Sequence, residues 1–166
     1  MYAPVGLVDM DNLNEIIIHA ARKGEPGVIK ELLEQNADIN ARDAKGYTPL
    51  IIASYNNQYA TVQFLLENGA DVNAGDAGGN TALMGASFKG YPDIAELLIQ
   101  YHADLNLQHG NGGTALMFAA MFGRNEVVKL LLSHGADKTL VDTRGLSVAD
   151  LAAQQGNQEA LDLLEA

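Results

Sequence analysis

Cysteine is absent from these 166 residues, and so is tryptophan. Without a thiol there is no disulfide framework, no cysteine nucleophile and no thiolate-bound zinc. Bases are scarce: ten Lys and Arg stand against 21 Asp and Glu, a formal charge of −11. Such a surface repels phosphate backbones, so no nucleic-acid partner is expected and a basic or neutral protein fits better. No run of 18 apolar residues occurs, so no membrane span is expected. The opening "MYAPVGLVDMDN" has neither a basic region nor a long apolar stretch and is not read as a signal peptide.

What the chain does have is repetition. "YTPLIIAS" begins at Tyr47, "NTALMGAS" at Asn80, "GTALMFAA" at Gly113 and "LSVADLAA" at Leu146, each 33 residues after the last. One period earlier, "NEIIIHAA" opens at Asn14 with the apolar pattern but without the hydroxyl residue. A fixed period of this length marks a repeat array, in which each unit buries its apolar side only against its neighbours.

The unit from Asp43 to Gly75 shows the logic. "DAKG" makes a tight turn ending in Gly46. Thr48 offers an N-cap hydroxyl, and Pro49 sits at the first helical position, where a missing N–H costs nothing. A short helix follows, then Asn57 where the other units carry glycine (Gly24, Gly90, Gly123, Gly156). Asparagine tolerates the left-handed stop such a position needs. A second helix places Val62, Leu65 and Leu66 on one face, and "GADVNA" closes the unit. Two columns of small residues run through the array, Ala20, Ala53, Ala86, Ala119, Ala152 and Ala21, Ser54, Ser87, Ala120, Ala153. They let helices approach closely, and Leu32, Leu65, Leu98, Leu131 and Leu164 fill the core between the longer helices.

Catalytic or metal chemistry finds little purchase. The four histidines (His19, His102, His109, His134) include no i, i+4 pair, so no metal or cofactor site is expected. "HGNGG", 109–113, lacks the Lys-Ser or Lys-Thr of a phosphate loop and reads as a flexible tip. Asp38, Asp71, Asp104 and Asp137 stand at turns, where carboxylates satisfy backbone N–H groups. No paired carboxylates converge, and no base is placed to activate Ser54, Ser87 or Ser147. The chain is read as a non-enzyme.

Period, cap, alanine pair, leucine column and G-A-D-x-N ending together resemble the ankyrin-repeat family. The resemblance covers Met10 to the C-terminus as five units, 10–42, 43–75, 76–108, 109–141 and 142–166, after an N-terminal tail, 1–9. It implies an all-α solenoid of five helix–turn–helix units with β-turn finger tips. The family's histidine after T-P-L is replaced by Ile18, Ile51, Met84, Met117 and Asp150, so its hydrogen bonds are expected to give way to apolar packing. The wording T-A-L-M looks like that of bacterial members, which implies a bacterial cytoplasm or periplasm.

The resemblance also implies a non-catalytic protein–protein interaction module that binds a protein on its concave face and finger tips. Carried onto this sequence, the variable positions give Lys45, Tyr47, Asn80, Asn111 and Arg144 at the tips, and Tyr55, Phe88, Lys89, Met121 and Phe122 on the palm. Aromatic and Met side chains at such positions are interface anchors. Their other role would be to pack on one another over the short helices. Small bacterial relatives suggest an accessory to an oxidative-stress enzyme such as catalase. The alternatives are an immunity protein that neutralises an effector, or a self-associating scaffold; a monomer is expected, with a homodimer as the variant.

Overall fold

The computed structural model describes residues 10–166, and the expected tail, 1–9, lies outside the described residues. Ten helices follow one another among them: α1 Met10–Lys23, α2 Pro26–Glu34, α3 Pro49–Tyr55, α4 Tyr59–Glu67, α5 Ala82–Lys89, α6 Pro92–Gln100, α7 Ala115–Met121, α8 Asn125–Ser133, α9 Val148–Gln154 and α10 Gln158–Glu165. Odd-numbered helices pack on one another in an inner row, and even-numbered helices form an outer row behind them. The fold is an all-α solenoid. Apart from α1, no helix exceeds nine residues, a length marginal in isolation, so the array owes its order to packing between units.

The small column makes the inner row tight. Ala53, Ala86, Ala119 and Ala152 are fully buried and Ala20 nearly so. The leucine column is fully buried at Leu65, Leu98 and Leu131 and slightly open at Leu32 and Leu164, where the stack ends.

Caps fix where the inner helices start. Thr48, Thr81, Thr114 and Ser147 each accept a hydrogen bond from the backbone N–H three residues on, at 3.2–3.3 Å. The return arm corrects the expectation that this mostly apolar column, which includes Met84 and Asp150, makes no hydrogen bonds at the cap. Thr81 N–H donates to Met84 Sδ at 3.4 Å and Ser147 N–H to an Asp150 carboxylate oxygen at 2.9 Å, closing capping boxes on α5 and α9. Asn57 ends its helix turn at φ 57°, as expected of the asparagine there.

Side chains also link the turns between units. Asn40, Asn73 and Asn106 each accept from the backbone N–H of the aspartate 31 residues on (Asp71, Asp104, Asp137), at 2.7–2.9 Å. Those aspartates in turn accept from the N–H two residues ahead.

Candidate binding face

Each finger is a tight turn between one outer helix and the next inner helix, closed by a backbone hydrogen bond from the N–H of its first residue to the C=O four residues on. Asp43, Asp76 and Asp142 organise three of them, one Oδ1 accepting from the N–H groups two and four residues on at 2.9–3.0 Å. The third finger in chain order puts His109 at that position. Its Nδ1 accepts from Gly113 N–H at 2.8 Å, which makes it an unprotonated ring nitrogen. A Cβ at residue 113 would lie 2.7 Å from the imidazole Cε1, so glycine there leaves room for the ring.

Neighbouring fingers are tied together. Ala77 N–H donates to Lys45 C=O, Gly110 N–H to Gly78 C=O and Thr143 N–H to Asn111 C=O, at 2.8–3.0 Å. This corrects the reading of 109–113 as a loose tip. Gly112 and Gly113 are buried, and a Cβ on Gly112 (φ 83°) would meet the backbone of Asp142 and Thr143 at 2.8 Å. Gly112 therefore serves the close approach of two fingers, and Gly113 the seating of the His109 ring within one.

Where the fingers meet the inner helices, two recesses open. The first, about 490 Å³, brings Tyr47 and Asn80 from the fingers against Ile51 and Tyr55 of α3 and Met84 and Phe88 of α5. The second, about 500 Å³, gathers Asn111, Met121 and Arg144. Phe118 lines both and divides them. Lys45, Lys89 and Phe122 line neither.

An aromatic chain crosses this face. Tyr55 and Phe88 stack with centroids 6.2 Å apart, and Phe122 meets Phe88 edge-on at 4.5 Å. Tyr55 and Phe122 each remain 44% exposed, while Phe88 between them is half-buried. The rings therefore pack on one another and still offer apolar surface. Lys89 Nζ sits 5.0 Å from the Tyr55 ring centroid, a cation–π geometry. Arg124, behind the palm, donates to Phe88 C=O at 3.0 Å and pins the end of α5.

Charge is unevenly placed. The outer helices carry nine carboxylates against two bases, Lys30 and Lys129, whereas the inner helices carry three of each. At the last finger Arg144 binds Asp142 at 2.8 Å, the one salt bridge among the described residues. The Leu146 N–H, and after it Arg144, hold the Asp142 carboxyl below the usual carboxylate range against some desolvation. Thr139, through its hydroxyl and then its N–H, lowers Asp137 in the same way. Among the described residues no group of three or more His, Asp and Glu could hold a metal ion, and no helix is long and apolar enough to cross a membrane.

Reasoning from sequence named seven of the side chains that the recesses gather and missed Phe118 and Gly85. Both lie in one column at the repeat period, His19, Ile52, Gly85, Phe118, Leu151. The lone glycine among large side chains was the available signal. His109 in the place of the finger aspartate was equally readable from the alignment of units.

These features define a helical repeat scaffold with a furrow between fingers and inner helices. A profile for ankyrin repeats in three copies matches residues 6–76 and 83–165, and one for ankyrin repeats in many copies matches 55–99. The chain belongs to the ankyrin-repeat family, whose members are typically non-catalytic and mediate protein–protein interaction. No curated protein sequence matches it significantly.

Proposed function

We propose that residues 10–166 act as one non-catalytic binding domain whose concave face, centred on Tyr55, Phe88 and Phe122, holds a segment of another protein. The supporting observation is the continuous ring chain, exposed at both ends and bordered by two recesses. Exposed aromatics beside a furrow supply area to bury with little side-chain entropy to lose. Tyr47, Asn80, Met121 and Asn111 extend the contact surface, and Lys45, Lys89 and Arg144 border it. Binding then masks or positions the partner.

Affinity capture from a lysate of the source cells, with a Phe88→Ala/Phe122→Ala double variant as control, tests this. One dominant protein should be retained by the native chain and lost by a variant of unchanged helicity. Equal capture by both would reject the palm as the site. The identity of the retained protein sorts the roles. A catalase or peroxidase marks an accessory subunit, a toxic effector an immunity protein, and a second copy of the chain a self-associating scaffold.

A further inference from the structure

Gly85 lines the first recess and puts no side chain into it. In the column that reads Ile52, Gly85, Phe118 and Leu151, Gly85 alone leaves the wall of the inner row open. Tyr55, Phe88, Ile51 and Met84 line the space beside it. A Cβ on Gly85 would touch Tyr55 Cδ2 at 3.6 Å, an ordinary contact, so no clash keeps the position empty. An apolar gap of this size beside exposed rings fits an anchor side chain of a bound segment.

The charges around it fit one kind of segment. Arg22 lines the recess and Lys89 sits over the Tyr55 ring. Neither makes a salt bridge among the described residues. Asp76 is the one carboxylate in the lining, and its oxygens are occupied by the N–H groups of Gly78 and Asn80 and the Asn80 amide. The carboxylates of the outer helices stand one helix layer back, about 8–10 Å. That is close to a Debye length of about 8 Å at physiological salt, so they are screened while the rim cations act at contact distance.

Resting on the reading of the concave face as a protein-binding site, we infer that its occupant is an acidic peptide segment with an apolar anchor. A Phe or Leu enters the recess over Gly85, and flanking Asp or Glu meet Arg22 and Lys89. This reverses the expectation of a basic or neutral partner drawn from net charge, because most of the excess of acids, seven of eleven, lies on the outer row.

A displayed random-peptide library selected on the intact chain is the test, followed by anisotropy titration of the leading synthetic peptide. The expected peptides carry one large apolar residue flanked by acids. Truncating that anchor to Ala should weaken binding by at least about thirtyfold. Gly85→Leu should abolish binding, and Arg22→Ala/Lys89→Ala, or raised salt, should weaken it about tenfold. The anchor truncation leaves the protein untouched, so its outcome is independent of how Gly85→Leu folds. Enrichment of basic or uncharged peptides, binding indifferent to the anchor, or no enrichment at all overturns the inference. Peptides indifferent to charge and to residue 85 but lost in Phe88→Ala/Phe122→Ala overturn it while leaving the concave-face reading standing. Peptides indifferent to every variant overturn both.

Discussion

Ser54 lies fully buried in the second small column, and its Oγ is the one buried side-chain polar atom without a partner among the described residues. Ser87, one unit on, donates its hydroxyl to Leu83 C=O at 2.7 Å. Alanine already occupies this column at 21 and 120. Removing an unsatisfied hydroxyl recovers desolvation energy, so Ser54→Ala should stabilise by about 1 kcal/mol in urea unfolding. Ser87→Ala, which gives up a bond, should not. His102 presents a different strain. It stands where other units place Gly69 and Gly135, at φ 68°. A non-glycine residue there loses about 1–2 kcal/mol. His102→Gly should raise the unfolding midpoint, less the added freedom of glycine in the unfolded chain. Both positions were visible in the sequence; that Ser54 lacks a partner was not, because a hydroxyl's partner depends on rotamer and backbone.

At the scale of the element, the inner helices were legible because their signals are local. A hydroxyl cap, a small-residue pair and a stop residue lie within about three turns of chain. Tyr55, Phe88, Lys89 and Phe122 were legible as surface through the family resemblance, which puts variable positions at the end of each inner helix. The recess was not, since it forms between α3, α5 and α7 and depends on what Gly85 fails to fill. That glycine also weakens α5, where Gly is about 1 kcal/mol worse than Ala. With only an ordinary contact awaiting a Cβ, Gly85→Ala should stabilise the chain by about 0.5–1 kcal/mol, measured by thermal or urea unfolding. A loss of stability would show that α5 needs the closer approach of Tyr55.

For the whole molecule, stability is a sum of units and their interfaces. Residues 142–166 cover α7 and α8, packing α9 on α7 and α10 on α8. Deleting them exposes the buried face of Val127, Val128 and Leu131, and the shortened chain should aggregate. A soluble, helical 1–141 fragment would contradict this. The pH response follows from Asp137 and Asp142, whose carboxyls are held below their ordinary range in the folded chain. A group depressed in this way adds stability above its unfolded pKa, about 3.9 for Asp, and loses it as pH falls through the lower folded value. The unfolding midpoint should therefore fall with acidification below about pH 4. Asp142→Asn keeps an acceptor for Leu146 N–H, so it should flatten that dependence while leaving the finger intact.

The sequence by itself determined the repeat, its period, the order of helices and the columns that stack, because these rest on patterns carried within each unit or copied between units. The net charge and the absence of thiols were equally plain in it. Only the tertiary structure decided where the charge lies, which palm side chains touch, and that the fingers are tied into a row. It alone opened the recess over Gly85 and gave His109 its acceptor role in the third finger. Those features arise between units, where the distance separating two side chains is set by the stacking of whole helices and is written in no single stretch of chain.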